Sequence, residues 1–140
     1  MGLYLCVFED DDTDNELDGV EVGGYDDFDY FRETVLNHLE DGDWGSRFPT
    51  LMNHPDSDGY WTVEECHNLR SEIQVIIDEF RRMPYEPFPD GWQVGVADSL
   101  GLQPTSLADT FIDIDGEPML ERLQRLVDTA ANADQRIWFQ

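Results

Sequence analysis

Apolar positions recur along this chain with two different periods, and their order predicts its elements. Residues 3–8 form a short aromatic and β-branched run that reads as a buried strand. A polar stretch follows over residues 9–19, and Val20-Glu21-Val22 alternates like a second, small strand. Phe28, Phe31, Val35, Leu36 and Leu39 then return at helical spacing. Asp26 and Asp27 occupy the favourable first turn of that helix, and Gly42 is its stop. Residues 47–53 read as another strand, with Pro49 suggesting an edge position or an irregular start.

The clearest helix starts at Thr62, where Thr62-Val63-Glu64-Glu65 is a capping box. Behind it, Cys66, Leu69, Ile73, Ile76, Phe80 and Met83 step by three and four to make one apolar seam. Three prolines (Pro84, Pro87 and Pro89) force a loop. Trp92 to Leu100 reads as a short helix stopped by Gly101. Residues 110–114 look like a strand. A last helix begins at Asp115 or Gly116, with Pro118 in its first turn and Leu120, Leu123, Val127 and Ala130 on one face. Residues 136–139 close the chain as a strand. The order β-β-α-β-α-α-β-α-β suits either an α/β or an α+β arrangement. The short second strand and uneven spacing favour a small α+β domain over residues 1–140, with a mixed or antiparallel sheet packed against three to four helices.

Charge changes the picture most. The 140 residues carry a formal charge of -24, and every one of the eight basic residues is an arginine. Residues 1–43 hold fifteen acids against one arginine, and the remainder seventeen against seven. Affinity for nucleic acid comes largely from neutralising phosphates with Lys and Arg, so the sign is wrong for a nucleic-acid binder. It is equally wrong for an anionic membrane surface. The charge favours a basic protein partner, a bound cation or a very salty solvent. No basic leader precedes the first apolar run, and no apolar run is long enough to span a bilayer. A soluble cytoplasmic protein is expected, with Cys6 and Cys66 as reduced, buried thiols.

Two segments have the spacing of calcium loops. In residues 54–65, Asp56, Asp58, Gly59 and Glu65 fall on EF-hand positions, but the first ligand is His54, a poor donor for a hard cation. In residues 10–21, Asp10, Asp12, Asp14, Asp18 and Glu21 fit, yet Asn15 stands where the turn glycine belongs. A strand-to-helix turn and a solvated hairpin loop are the simpler readings, so no metal ligand is assigned. His38, His54 and His67 have no motif pairing them with a nucleophile. Cys66 and His67 diverge by about 100° on one helix. Neither a catalytic residue nor a cofactor is expected.

The run Gly45-Ser46-Arg47-Phe48-Pro49-Thr50-Leu51-Met52-Asn53, with the acid-and-glycine turn and the Thr62 helix behind it, resembles the immunity protein 70 family. The likeness extends to Asn37-His38-Leu39-Glu40, to Phe111-Ile112-Asp113-Ile114-Asp115-Gly116-Glu117-Pro118, and to the helix beyond. It implies an α+β bacterial immunity protein of a polymorphic-toxin system, which binds a cognate toxin and blocks it without being an enzyme. The acidic stretch over residues 9–18 and the lack of lysine are departures from the family pattern. An acidic inhibitor suits the basic cleft of a nuclease toxin. On that expectation Asp10, Asp11, Asp12, Asp14, Asp26, Asp27, Asp56 and Asp58 belong to the contact surface, with Tyr60 and Trp61 as aromatic anchors. The rival readings are a salt-adapted protein, whose acidity names no partner, and a weakly Ca²⁺-binding domain.

Overall fold

The computed structural model describes residues 2–10, 15–55, 59–87 and 91–140. Its frame is one antiparallel sheet in the order β2-β1-β4-β3, formed by β1 (Leu3–Phe8), β2 (Glu16–Gly23), β3 (Tyr60–Trp61) and β4 (Ile137–Phe139). Strand alternation sends Leu3, Leu5 and Val7 to the core face, where Val20, Val22, Ile137, Phe139 and Trp61 join them. Cys6, Trp138 and Tyr60 face each other across neighbouring strands on the opposite side. Helices back the core face, which makes the fold a small two-layer α+β domain.

Most predicted elements are present. Helix α1 (Tyr25–Leu39) buries Phe28, Phe31, Val35 and Leu39. It ends where Asp41 and Gly42 both take positive φ and the Gly42 amide reaches back to Leu36. Helix α3 (Val63–Arg81) starts in the predicted box: Glu65 N–H donates to Thr62 Oγ1 at 3.1 Å, and Thr62 N–H donates to Glu65 Oε1 at 3.0 Å. Its seam of Cys66, Leu69, Ile73, Ile76 and Phe80 is fully buried against α5 (Met119–Ala133), which presents Leu120, Leu123, Val127 and Ala130. Each such side chain contributes about 2 kcal/mol by leaving water, so this pair of helices is the stable centre of the domain.

Two predicted strands are corrected. Residues 47–53 contain a single helical turn, α2 (Pro49–Met52), because carboxylates from distant helices cap it, as described below. Residues 110–114 follow a short 3-10 turn (Leu107–Thr110) and pair only through a bridge between Ile112 and Pro118. There the buried Asp113 carboxylate accepts the amides of Asp115 and Glu117 at 2.9 and 3.0 Å and bends the chain back. Asp115 therefore does not cap the last helix; Pro118 stands at that position. Helix α4 (Trp92–Leu100) ends at Gly101 in the left-handed conformation, as predicted. Tyr60 and Trp61 form the short edge strand β3.

Candidate partner-binding surface

The distinctive run at residues 45–53 is held from three sides. Buried Glu40, just past α1, accepts the amides of Gly45, Arg47 and Phe48 at 3.1, 3.0 and 3.0 Å. Glu72 of α3 accepts those of Thr50 and Leu51 at 3.2 and 3.0 Å. Buried Arg32 donates from Nη1 to the carbonyls of Leu51, Met52 and His54, at 2.6 Å for the last. Anionic groups thus meet the orphan amides at the start of α2, and a cation meets the carbonyls at its end. Gly45 has φ +76, and a Cβ there would lie 2.6 Å from Asn53 Oδ1, so the glycine is required. This region fixes the fold, and its polar groups are spent internally.

The acids predicted to form one surface are not all brought together. Asp10 is exposed at the β1–β2 hairpin, while Asp11, Asp12, Asp14, Asp56 and Asp58 lie outside the described residues. Asp26 is exposed in the first turn of α1, at the far end of β2, about 25 Å from the hairpin at roughly 3.3 Å per residue. Asp27 turns inward. It accepts Gly24 N–H at 2.7 Å, Trp92 Nε1–H at 2.9 Å and Gln93 Nε2–H at 2.6 Å, tying α4 to the start of α1. Of the two aromatic candidates, Tyr60 is exposed, its ring tilted against Trp138 and the Arg136 guanidinium 4.6 Å from its centroid. Trp61 lies wholly in the core, donating Nε1–H to Thr50 O at 3.0 Å, and offers no surface to a partner.

The groups that resembled chemistry are occupied. Both ring nitrogens of His54 lie against backbone carbonyls, those of Pro55 at 2.7 Å and Tyr60 at 3.0 Å, and its ring stacks on Phe139. With Glu65 spent on its cap, neither end of the calcium-like segment is placed as a ligand. Among the described residues, no group of three or more His, Cys, Asp or Glu side chains could hold a metal ion. His38 pairs with Glu86 at 2.9 Å, and His67 with Asp134 at 3.7 Å. Burial pushes the thiols of Cys6 and Cys66 from 9.0 up to about 11, the opposite of activation.

A surface that the sequence reading missed lies along α4. Gln93 is the one residue this helix buries, whereas Val94 is 44% and Leu100 56% exposed. Between α4 and the chain around Tyr85, Pro104, Ile112 and Pro118 runs a cleft of about 500 Å³. Exposed Leu102 adds to its apolar lining. Gly116 has φ +81 and touches the α4 side of the cleft: a Cβ there would lie 2.3 Å from Leu100 Cδ1. Between Arg82 and Arg122 the chain has no basic residue and eight carboxylic ones. An apolar helix without a second apolar layer to bury it, inside that acidic stretch, was the available signal.

Sheet, helices and cleft together define a small α+β domain with exposed apolar residues along α4. The chain belongs to the immunity protein 70 family, whose model matches residues 3–139. The family points to an immunity protein with a toxin as its partner, and such proteins are generally not enzymes. No curated protein and no solved structure matches the chain significantly. No helix among the described residues is long and apolar enough to cross a membrane.

Proposed function

We propose that this chain is a non-enzymatic immunity protein that neutralises its cognate toxin in the cytoplasm by binding it, and that the toxin presents a basic surface such as a nuclease's phosphate-holding cleft. The observation that carries this reading is the charge of -24 on a member of an immunity family. Carboxylates act on a basic partner well before contact, so Asp10 and Asp26, with Asp11, Asp12, Asp14, Asp56 and Asp58, raise the rate of encounter. Tyr60 is the exposed aromatic of the predicted set.

The test is the association rate of the full chain with the inactivated product of the adjacent toxin gene, measured across salt. A fall of tenfold or more between about 0.05 and 0.5 M is expected, because the screening length shrinks to a few ångströms over that range. A rate that does not change would remove the basic partner. The absence of lysine favours salt adaptation as the second reading. A free protein that unfolds at low salt and is rescued by molar KCl, with salt-independent association, would replace the first reading by that one.

A further inference from the structure

We infer that the α4 cleft seats a basic segment of the toxin carrying one or two large apolar side chains, with α4 as the docking helix. The inference rests on the toxin-binding reading above and names the place and chemistry of contact. Two observations converge on it. The first is apolar: exposed Tyr85, Val94 and Leu102 line a cleft of about 500 Å³, and exposed Leu100 lies against Gly116 at its edge. That volume lies within the range of specific pockets and takes a few buried side chains. Elsewhere the helices turn comparable residues into the core, as α3 and α5 do.

The second is charge. The stretch forming both walls is free of Lys, Arg and His, and exposed Asp98 lies on the helix itself. Exposed Asp26 adjoins Asp27, the carboxylate that ties down the start of α4. A segment with Lys or Arg flanking its apolar side chains is complementary to that combination; an acidic or uncharged one is not. Apolar floor and acidic rim specify the occupant's two features.

The experiment measures binding of the full chain to the inactivated adjacent-gene toxin by calorimetry at 0.15 M salt. The proteins compared are wild type, the double variant Val94→Ser with Leu100→Ser, and Val75→Ser, which alters an exposed apolar residue on α3. The double variant is expected to lose at least tenfold in affinity, and Val75→Ser less than twofold. Wild-type binding with an unaffected double variant would overturn the cleft while leaving the immunity reading intact. No binding by wild type would overturn both. Concentration-dependent self-association of wild type that the double variant abolishes would assign the cleft to a second copy of this chain, and the inference would fall. Should the double variant not fold, a dye at Val94→Cys keeps the question open to refutation, since Cys6 and Cys66 are buried and unreactive. Its emission should shift to the blue on adding toxin; an unshifted spectrum with saturated binding would overturn the proposal.

Discussion

Two short helices in this molecule are built in opposite ways. The single turn of α2 buries Leu51 and Met52, and three charged side chains from elsewhere in the chain close its two ends. The nine residues of α4 bury only Gln93, leave Val94 and Leu100 in solvent, and are tied to the body near their N-terminus by Asp27. The first has its end amides and carbonyls committed to the fold. The second keeps apolar surface uncommitted. The run that carries the family likeness is therefore structural, and the segment proposed for recognition carries none of its most distinctive residues.

Substitutions should separate the two regions. Glu40→Ala strips the acceptor from three amides and should cost about 3 kcal/mol, with Glu40→Gln costing about 1 kcal/mol, read from urea midpoints. A loss below 0.5 kcal/mol for the alanine variant would mean that α2 does not depend on its clamps. Asp27→Ala should come next, at about 2 kcal/mol, with faster amide exchange in α4 before the rest of the domain. Its exposed neighbour makes a sharp control. Asp26→Asn removes one charge from a strongly anionic surface and should leave stability unchanged or slightly raised. Equal effects at the two positions would erase the distinction between a tie and a surface charge.

Val94→Ser with Leu100→Ser should move stability by no more than about 0.5 kcal/mol, since neither side chain is buried, while toxin affinity falls. A large loss of stability would show that α4 is packed like α2. The smallest effect at neutral pH concerns two buried thiols, Cys66 in the core and Cys6 on the opposite side of the sheet. The Cys6 and Cys66 thiols, raised to about 11 mainly by burial, ionise more readily in the unfolded chain. Their contribution is full below pH 9 and is lost as pH climbs through about 11. At pH 8 a thiol reagent should leave the folded protein unlabelled and modify both cysteines in urea; labelling without denaturant would contradict that burial.

What the sequence revealed of this fold follows from how local each instruction is. Thr62 and Glu65 lie three residues apart, so the start of α3 was legible, as were the seams of α3 and α5. Phe48, Thr50 and Leu51 look like strand residues, and the carboxylates that make them helical, Glu40 and Glu72, belong to α1's end and to α3. Likewise Asp27 was readable as a first-turn acid but not as the partner of Trp92 and Gln93, 65 and 66 residues on. The aromatic pair before Thr62 was read as two anchors. Alternation on an edge strand makes them opposites, Tyr60 outward and Trp61 inward. The acids over residues 9–18 drew attention by number alone, whereas the α4 surface announces itself only once the helix is seen to lack a covering layer.

The tie through Asp27 has a consequence for how such a protein can diverge. One carboxylate and two donors connect the proposed docking helix to the core, and the side chains that would meet a toxin contribute little to folding. A lineage could rewrite Val94, Ala97, Asp98 and Leu100 one at a time, tracking a changing adversary, while Asp27, Trp92 and Gln93 keep the helix in register. Recognition would then drift quickly on a scaffold that stays still.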